Sequence, residues 1–285
     1  AEGEILGLVG ESGAGKSLTG SAIIGLLEPP GHIAGGEIFV AGHRVDNLSA
    51  SKMAGVRGRL IGAIFQDPLT SLDPLMTVGD QLIETIMQHL PMDAHEAKER
   101  AIELLAQTGI PAPEKRINQY PHQFSGGMRQ RVVIALALAA KPKLIIADEP
   151  TTALDVSVQA QIIELLKRLA KESHSGILLV THDMGVIAET ANRVAVMYSG
   201  RIVEIGPVAE VLHNPKHPYT RGLMAAIPDM SETTEFLHQI EGAMPNLANI
   251  PAGCAFHDRC PEKCDKCSTL RPQLIEAASG HKVAC

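Results

Sequence analysis

The composition of this 285-residue chain is that of a globular protein, because 45% of its residues are hydrophobic and can fill a sizeable core. The net charge of −7 argues against a broad basic surface, so nucleic acid is not an expected partner. No apolar run approaches the roughly 18 residues of a transmembrane helix, and no signal peptide is visible, so we expect a cytosolic chain.

Residues 10–17 read Gly-Glu-Ser-Gly-Ala-Gly-Lys-Ser and fit the phosphate-loop pattern. They lie between a predicted strand, residues 5–9, and a predicted helix, residues 18–27. Loop amides and a helix N-terminus supply partial positive charge to phosphate oxygens, and a lysine adds a full charge. The alternative is a glycine-rich turn with a surface lysine. The candidate nucleotide ligands are Gly10, Glu11, Ser12, Gly13, Ala14, Gly15, Lys16 and Ser17, the last of which is also a candidate magnesium ligand.

Two further strands are predicted before the first long helical region. Prolines and glycines mark a turn, and residues 37–41 then indicate a strand in a small antiparallel β element. Residues 61–65 predict another strand, which ends at Gln66-Asp67-Pro68 because proline stops strand pairing. Gln66 would be a surface glutamine in most proteins, and only a second nucleotide motif makes it a site residue.

Residues 78–108 carry apolar side chains at helical spacing and predict a helical insert. Its apolar stripe faces either a core or a partner. A proline-rich loop then ends in Ser125-Gly126-Gly127, shortly before a predicted helix at residues 132–140. Such a triplet at a helix N-terminus can bind an anion, although by itself it is only a loop signal.

Residues 143–147 form a continuous apolar run, typical of a buried parallel strand, that ends in Asp148 and Glu149. Carboxylates at this edge of a sheet are costly without a partner, and ligands of open α/β sheets bind there. We therefore expect Asp148 to bind magnesium and Glu149 to act as a general base. In the alternative, both carboxylates are solvated and cap the helix that begins at Val156.

A helix at residues 156–170 and a buried strand at residues 176–180 are predicted next, and the strand ends before His182. A lone histidine after a strand is usually structural. This one follows a strand of the same predicted sheet as Asp148, so it could reach a terminal phosphate. Residues 193–197 and 201–205 indicate a hairpin.

All five cysteines lie between Cys254 and Cys285, and this clustering favours a metal site over disulfides in a reducing compartment. A four-thiolate set is plausible, and the Cys260-Pro261 pair is typical of iron–sulfur ligand runs. Zinc held partly by a Cys-x-x-Cys pair and plain reduced thiols are the alternatives. Prolines in this region predict a lobe built from loops. The four-thiolate set is Cys254, Cys260, Cys267 and Cys285, which leaves Cys264 outside it.

Together these motifs resemble the ATP-binding subunits of ABC transporters, whose five motifs occur here in the family's order across most of residues 1–210. The resemblance implies an α/β fold with a P-loop NTPase (RecA-like) core and a small antiparallel β element. It also implies a helical subdomain at about residues 78–140 and a Cys-rich C-terminal extension at residues 211–285. ATP and magnesium are the cofactors that it implies.

The resemblance also implies a role for each candidate residue. Two subunits of this family meet head to tail, so that the phosphate loop of one and the signature of the other enclose the same ATP. The implied roles are phosphate binding for Lys16, magnesium binding for Ser17, Gln66 and Asp148, activation of water for Glu149, contact with the terminal phosphate for His182, the signature for Ser125, Gly126 and Gly127, and the D-loop for Asp155.

Within the family the chain resembles the dipeptide and oligopeptide importer subunits. Phe124 and Met128 replace the commoner Leu and Gln of the signature, as they do in that branch, and residues 214–223 resemble the extension of peptide and nickel importers. Similar tails carry a four-iron four-sulfur cluster, and the four-thiolate set matches its ligand pattern. The family's adenine-stacking aromatic is absent from residues 1–9, so we expect it upstream and expect the phosphates to be bound while the base lacks its stacking partner.

The resemblance implies a peripheral protein on the inner face of the membrane, bound to transmembrane permease subunits. It forms a homodimer or a heterodimer, and an external substrate-binding protein acts indirectly. The expected cargo is a di- or oligopeptide, and the alternatives are a nickel or glutathione importer. A soluble ABC ATPase without a transport role is the other alternative.

Overall fold

The computed structural model describes residues 1–152, 154–227 and 239–285. The chain divides into two compact units, residues 1–4 with 18–179 and residues 5–17 with 180–285. Within the described residues, no helix is both long enough and apolar enough to cross a membrane.

Strands and helices alternate along most of the chain, which is the element order of an α/β fold. The strands are β1 (Ile5–Val9), β2 (Phe39–Val40), β3 (His43–Arg44), β4 (Ile61–Ile64), β5 (Leu144–Asp148), β6 (Gly176–Val180), β7 (Arg193–Tyr198), β8 (Arg201–Pro207), β9 (Ile275–Ala278) and β10 (His281–Val283). The helices are α1 (Lys16–Ile23), α2 (Ala50–Val56), α3 (Val78–His89), α4 (Ala94–Gln107), α5 (Pro113–Arg116), α6 (Gly126–Leu138), α7 (Val156–Ser173), α8 (Met184–Thr190), α9 (Val208–His213) and α10 (Pro218–Ala225).

In the first unit, β4 pairs in parallel with β5, and β6 lies on the other side of β5. The apolar run of β5 is buried on both faces, as expected for a central parallel strand. Helices α3, α4 and α6 pack against one another, and α6 also packs on β4. Their shared core includes the fully buried Leu82, Ile86 and Leu104. The apolar stripe of the helical insert therefore faces a core.

In the second unit, β1 pairs in parallel with β7, and β7 forms an antiparallel hairpin with β8. The sheet continues through β10 to β9, both antiparallel. A buried hydrogen bond of 2.7 Å between His281 Nε2 and Glu204 Oε1 joins β10 to β8. The other Glu204 oxygen accepts the backbone N–H of His217 at 2.9 Å, just before α10 begins. One buried carboxylate thus fastens two parts of the C-terminal extension to the sheet.

The predicted elements are largely present, including the small antiparallel pair β2–β3 and the β7–β8 hairpin. The predicted helical insert at residues 78–108 is present as two helices, because residues 90–93 separate them and Asp93 caps α4 through a capping box. One expectation is wrong in detail. The tail is not built from loops alone, since the β9–β10 hairpin extends the sheet.

Candidate nucleotide site

The phosphate loop follows β1 directly and leads into α1 at Lys16. Gly10 adopts φ +152°, and a Cβ there would lie 2.2 Å from the Met197 carbonyl oxygen, so only glycine fits. Gly15 adopts φ +102°, which side-chain-bearing residues rarely reach. Ser12, Gly13 and Ser17 are exposed along the loop, so an anion can approach it from solvent.

Lys16 folds back over this loop. Its side chain is buried, and Nζ donates to the carbonyl oxygens of Gly10 at 2.9 Å and Glu11 at 3.1 Å. An ammonium group has three donors, and these bonds fix its position beside the loop amides. The loop thus combines a cation with a helix N-terminus, which is an arrangement suited to a polyphosphate.

The carboxyl ends of β4 and β5 bring Gln66 and Glu149 together. Gln66 follows β4 by two residues, Glu149 follows β5 by one, and the two strands are parallel neighbours. Gln66 Nε2 donates to Glu149 Oε2 at 3.1 Å, and the same oxygen accepts from Thr152 Oγ1 at 2.9 Å. Glu149 adopts φ +47°, and it is half-buried like Asp148 beside it. The oriented Glu149 carboxylate and the half-buried Asp148 therefore lie at the edge where such sheets bind ligands.

The helix that begins at Val156 is capped by Asp155. Asp155 Oδ1 accepts from the Val158 N–H at 2.9 Å and from the Ser157 hydroxyl at 2.8 Å. These bonds, the one from Val158 first, hold the pKa of Asp155 below its usual range. The alternative in which Asp148 and Glu149 cap this helix is therefore wrong.

The signature triplet begins α6. Ser125 is the N-cap, and its Oγ accepts from the Met128 N–H at 3.4 Å. Phe124 is buried just before it and anchors the turn, whereas Ser125 and Gly126 are exposed. A Cβ on Gly127 would lie 2.6 Å from Val158 Cγ1, so glycine is needed for α6 to approach α7. The helix N-terminus is thus held from behind and open in front.

His182 is exposed and follows β6 by two residues. The next residue, Asp183, caps α8 by accepting from the Gly185 N–H at 2.8 Å. His182 therefore lies just beyond the carboxyl end of β6. Its contact with a phosphate stays a prediction.

The cysteines are in neighbouring positions, but they do not form a finished metal site. No group of three or more His, Cys, Asp or Glu side chains among residues 1–152, 154–227 and 239–285 is arranged to hold a metal ion. The four thiols of the predicted set nevertheless interact. Burial, followed by the charges of Cys254, Cys260 and Cys267, raises the pKa of the Cys285 thiol. Cys264 is exposed and contacts Cys267, with 3.4 Å between the sulfurs.

Two residues near the phosphate loop were not found from the sequence. The Arg259 guanidinium pairs with the Glu11 carboxylate, and the Tyr219 hydroxyl accepts the Glu11 N–H. Tyr219 lies in the segment that resembles the importer extension, so this resemblance was the one signal in the sequence that could have pointed to Tyr219. Arg259 precedes Cys260 but offers no local pattern, because its partner is 248 positions away in the sequence.

Comparisons with known proteins agree with this geometry. Residues 1–152 match the family model described as "ABC transporter". Residues 203–267 match the model described as "Oligopeptide/dipeptide transporter, C-terminal region". Two separate models thus cover the phosphate loop and the extension.

Curated relatives extend along nearly the whole chain. The oligopeptide transport ATP-binding protein OppD of Bacillus subtilis is 56% identical over 257 residues, which are 90% of this chain and 72% of that protein. The dipeptide transport ATP-binding protein DppD of Escherichia coli is 44% identical over 284 residues, which are 100% of this chain and 87% of that protein.

Solved structures share the fold. A dimeric post-hydrolysis state of the ATP-binding cassette MJ0796 bound to ADP and phosphate has a TM-score of 0.64 at 32% identity, covering 73% of this chain and 87% of that one. The predicted α/β P-loop NTPase core is therefore confirmed. The chain belongs to the ATP-binding, ATP-hydrolysing subunits of ABC transporters, in their oligopeptide/dipeptide importer branch.

Proposed function

We propose that this chain powers the import of di- or oligopeptides by binding and hydrolysing ATP. The observation that carries the hydrolytic step is the Gln66–Glu149 hydrogen bond of 3.1 Å at the carboxyl ends of adjacent parallel strands. The peptide cargo is supported by the match of residues 203–267 to the oligopeptide/dipeptide model and by the names of the relatives.

Each polar group in the site has a role in this proposal. Glu149 accepts a proton from the attacking water, and its hydrogen bonds from Gln66 and Thr152 orient the carboxylate. Lys16 neutralises phosphate charge, and His182 contacts the terminal phosphate. The oxygens of Ser17, Gln66 and Asp148 suit magnesium, which favours hard oxygen ligands. When bound, magnesium polarises the phosphate oxygens and offsets their charge.

The partner in hydrolysis is a second ATP-binding subunit, either a copy of this chain or a sister chain. Support comes from the exposed Ser125 and Gly126 at the start of a 13-residue helix, a site that can receive an anion from another molecule. Asp155, the exposed N-cap of α7, would lie at the same interface. A dimeric state is also named for the similar cassette.

The transmembrane partner is a permease at the inner face of the membrane, and the external substrate-binding protein acts only through it. Residues 65–87 of the first unit include several exposed large apolar side chains, which suit a protein interface better than water. The most exposed of them are Leu75 at 85% and Leu69 at 61%, followed by Phe65 and Met87 at 46% each.

Glu149→Gln tests the hydrolytic role. In the assembled transporter we expect ATP hydrolysis to fall at least about a hundredfold, because glutamine cannot accept the proton. Binding of magnesium ATP should stay within about twofold. Glu164→Gln, an exposed change on α7, is the control and should hydrolyse at the parental rate. Hydrolysis near the parental rate in Glu149→Gln would show that the base is another group.

Cargo is tested with the transporter in proteoliposomes. Oligopeptides with the external binding protein should stimulate hydrolysis, whereas nickel or glutathione should not. Stimulation by nickel or glutathione alone would replace the peptide proposal with an alternative importer. A rate of ATP hydrolysis that is the same with and without the permease would favour a soluble ATPase.

The tail is proposed to hold a four-iron four-sulfur cluster through Cys254, Cys260, Cys267 and Cys285, with zinc as the alternative. Four thiolates suit either metal centre. Support comes from the mutual electrostatic interaction of these thiols and from a 2.8 Å hydrogen bond between the Cys254 N–H and the Cys267 carbonyl. That bond joins the chain segments that carry two proposed ligands.

Metal analysis of protein purified without oxygen tests this proposal. We expect about four irons and four sulfides per chain. Cys285→Ser should lose them, whereas Cys264→Ser, the matched control, should keep them. One zinc per chain would select the alternative, and a protein without metal would contradict both.

A further inference from the structure

Glu11 lies within the phosphate loop, where a free carboxylate would repel the phosphates that the loop is to receive. The chain does not leave this charge uncompensated. Arg259 Nη1 donates to Glu11 Oε2 at 2.7 Å, and Nη2 donates to Oε1 at 3.0 Å. This paired geometry is the strongest that arginine makes with a carboxylate.

Arg259 is itself fixed on every side. Its Nε donates to the Glu241 carbonyl at 2.9 Å and its Nη2 to the Ile240 carbonyl at 3.2 Å. Its side chain is only 6% exposed. A guanidinium held this firmly keeps the Glu11 carboxylate in one orientation, because neither group can turn away without losing bonds inside a partly buried site.

The backbone of the same residue is held by Tyr219. The Glu11 N–H donates to the Tyr219 hydroxyl at 2.9 Å. The Tyr219 ring is fully buried and packs against the rings of Tyr198 and Phe256, with centroids 4.6 and 5.4 Å away. Burial also raises the pKa of Tyr219, so its hydroxyl stays neutral. The C-terminal extension thus contacts both the backbone and the side chain of one loop residue.

We propose that Arg259 and Tyr219 are positioning residues for the phosphate loop, which they hold in its phosphate-binding shape while Arg259 neutralises Glu11. The extension therefore sets the affinity for nucleotide phosphates without touching them. Met244 fits this arrangement, since its Cε lies 3.1 Å from where a Cβ on Gly13 would stand. The inference rests on the proposed binding of ATP by this loop.

The test measures dissociation constants of the full chain for magnesium ATP and magnesium tripolyphosphate. Tripolyphosphate reports on the loop without any contribution from the base. Arg259→Gln should weaken both by about tenfold, since it leaves a partly buried carboxylate without its partner. Arg221→Gln is the matched control, because Arg221 pairs with Glu262 in the same extension but at an exposed site, and it should change binding less than about twofold.

A second substitution separates positioning from general damage. Glu11→Gln combined with Arg259→Gln should bind at least about threefold more tightly than Arg259→Gln alone, because the uncompensated charge is gone. Arg259→Lys, which keeps the charge but not the paired geometry, should fall between parent and Arg259→Gln. The proposal would be overturned if the change in dissociation constant of the double variant equalled the product of the changes in the two single variants.

Tyr219→Phe keeps the test decisive if Arg259→Gln fails to fold, because it removes only the hydroxyl acceptor. It should weaken tripolyphosphate binding by about threefold while the melting temperature stays close to that of the parent. Parental affinity in both Tyr219→Phe and Arg259→Gln would overturn the inference and leave the nucleotide site intact. A parental chain that binds neither probe would overturn the proposed function together with the inference.

Discussion

Two helix N-termini of the molecule are suited to anions. They differ in how many side chains from distant parts of the chain hold them in place. At the start of α1, Lys16 covers the loop, and Arg259 and Tyr219 hold Glu11. At the start of α6, Ser125 satisfies one N–H of its own helix and the surface beyond it is exposed. We call the first N-terminus enclosed, because side chains from distant segments hold its loop although its face stays exposed to solvent, and we call the second open.

This difference follows from what each N-terminus must do. A loop that selects phosphates gains affinity when its shape is fixed in advance, because less conformational entropy is lost on binding. A surface that meets another subunit must stay accessible until that subunit arrives. The enclosed N-terminus should therefore respond to changes in its own extension, and the open one only to the presence of a partner.

The largest effect is expected on the enclosed side, from acid acting on His217. Burial lowers the pKa of His217 to about 4, with a smaller contribution from the charge of Arg221 and against the opposing charges of Glu204 and Glu262. The unfolded chain takes up the proton near pH 6.5 and the folded chain only near 4, so this stability is present above pH 6.5 and lost as the pH falls toward 4. The loss should reach about 3 kcal/mol.

His217→Asn isolates this contribution. His217 Nδ1 accepts the Tyr219 N–H at 3.0 Å, and asparagine can replace that acceptor without titrating. Urea unfolding between pH 7 and pH 4 should therefore show a flatter pH dependence for the variant. Parallel curves for variant and parent would mean that His217 does not sense acid. A buried His217 Nε2 without a hydrogen-bond partner among the described residues adds to the cost of protonation.

A smaller effect is expected at the open N-terminus. A Cβ on Gly126 would meet its nearest neighbour, Leu154 Cδ2, at 3.9 Å, so Gly126→Ala fits without strain. We expect unchanged binding of magnesium ATP by the lone subunit. In the assembled dimer, hydrolysis should fall about tenfold, since the methyl group crowds the anion site. Gly55→Ala, at an exposed position of α2 with open space around it, is the control.

Two outcomes of Gly126→Ala would contradict this difference between the N-termini. Lost binding in the lone subunit would mean that the two N-termini are not independent. Full hydrolysis in the assembled dimer would mean that the exposed start of α6 binds no ligand from the partner.

The sequence sufficed wherever function depends on neighbours in the chain. The phosphate loop between β1 and α1 and the strand before Asp148 follow from local spacing, whereas α6 begins at Gly126 and not at the predicted residue 132. Gln66 became a candidate only through the other motifs, and its bond to Glu149 follows from the parallel pairing of β4 and β5. Local patterns thus located the chemistry, and topology brought it together.

The remaining features could not be read locally. The strand β9 is exposed along its whole length and carries no alternating pattern, so nothing in residues 275–278 predicts its pairing with β10. The Arg259–Glu11 pair joins positions 248 apart, and any arginine would look the same in sequence. The spacing of apolar residues along the sequence indicates which side chains are buried. It does not indicate which distant segments meet, and these contacts depend on that.

The distance along the chain between Glu11 and Arg259 also sets an order of events during synthesis. The ribosome adds Glu11 248 residues before it adds Arg259. At about 5–20 residues per second, that interval is roughly 10–50 seconds. During this time the growing chain carries the loop with an unmatched carboxylate. A nascent subunit would therefore hold nucleotide poorly until the segment that carries Arg259 has emerged, and ATP binding would mark the arrival of that segment.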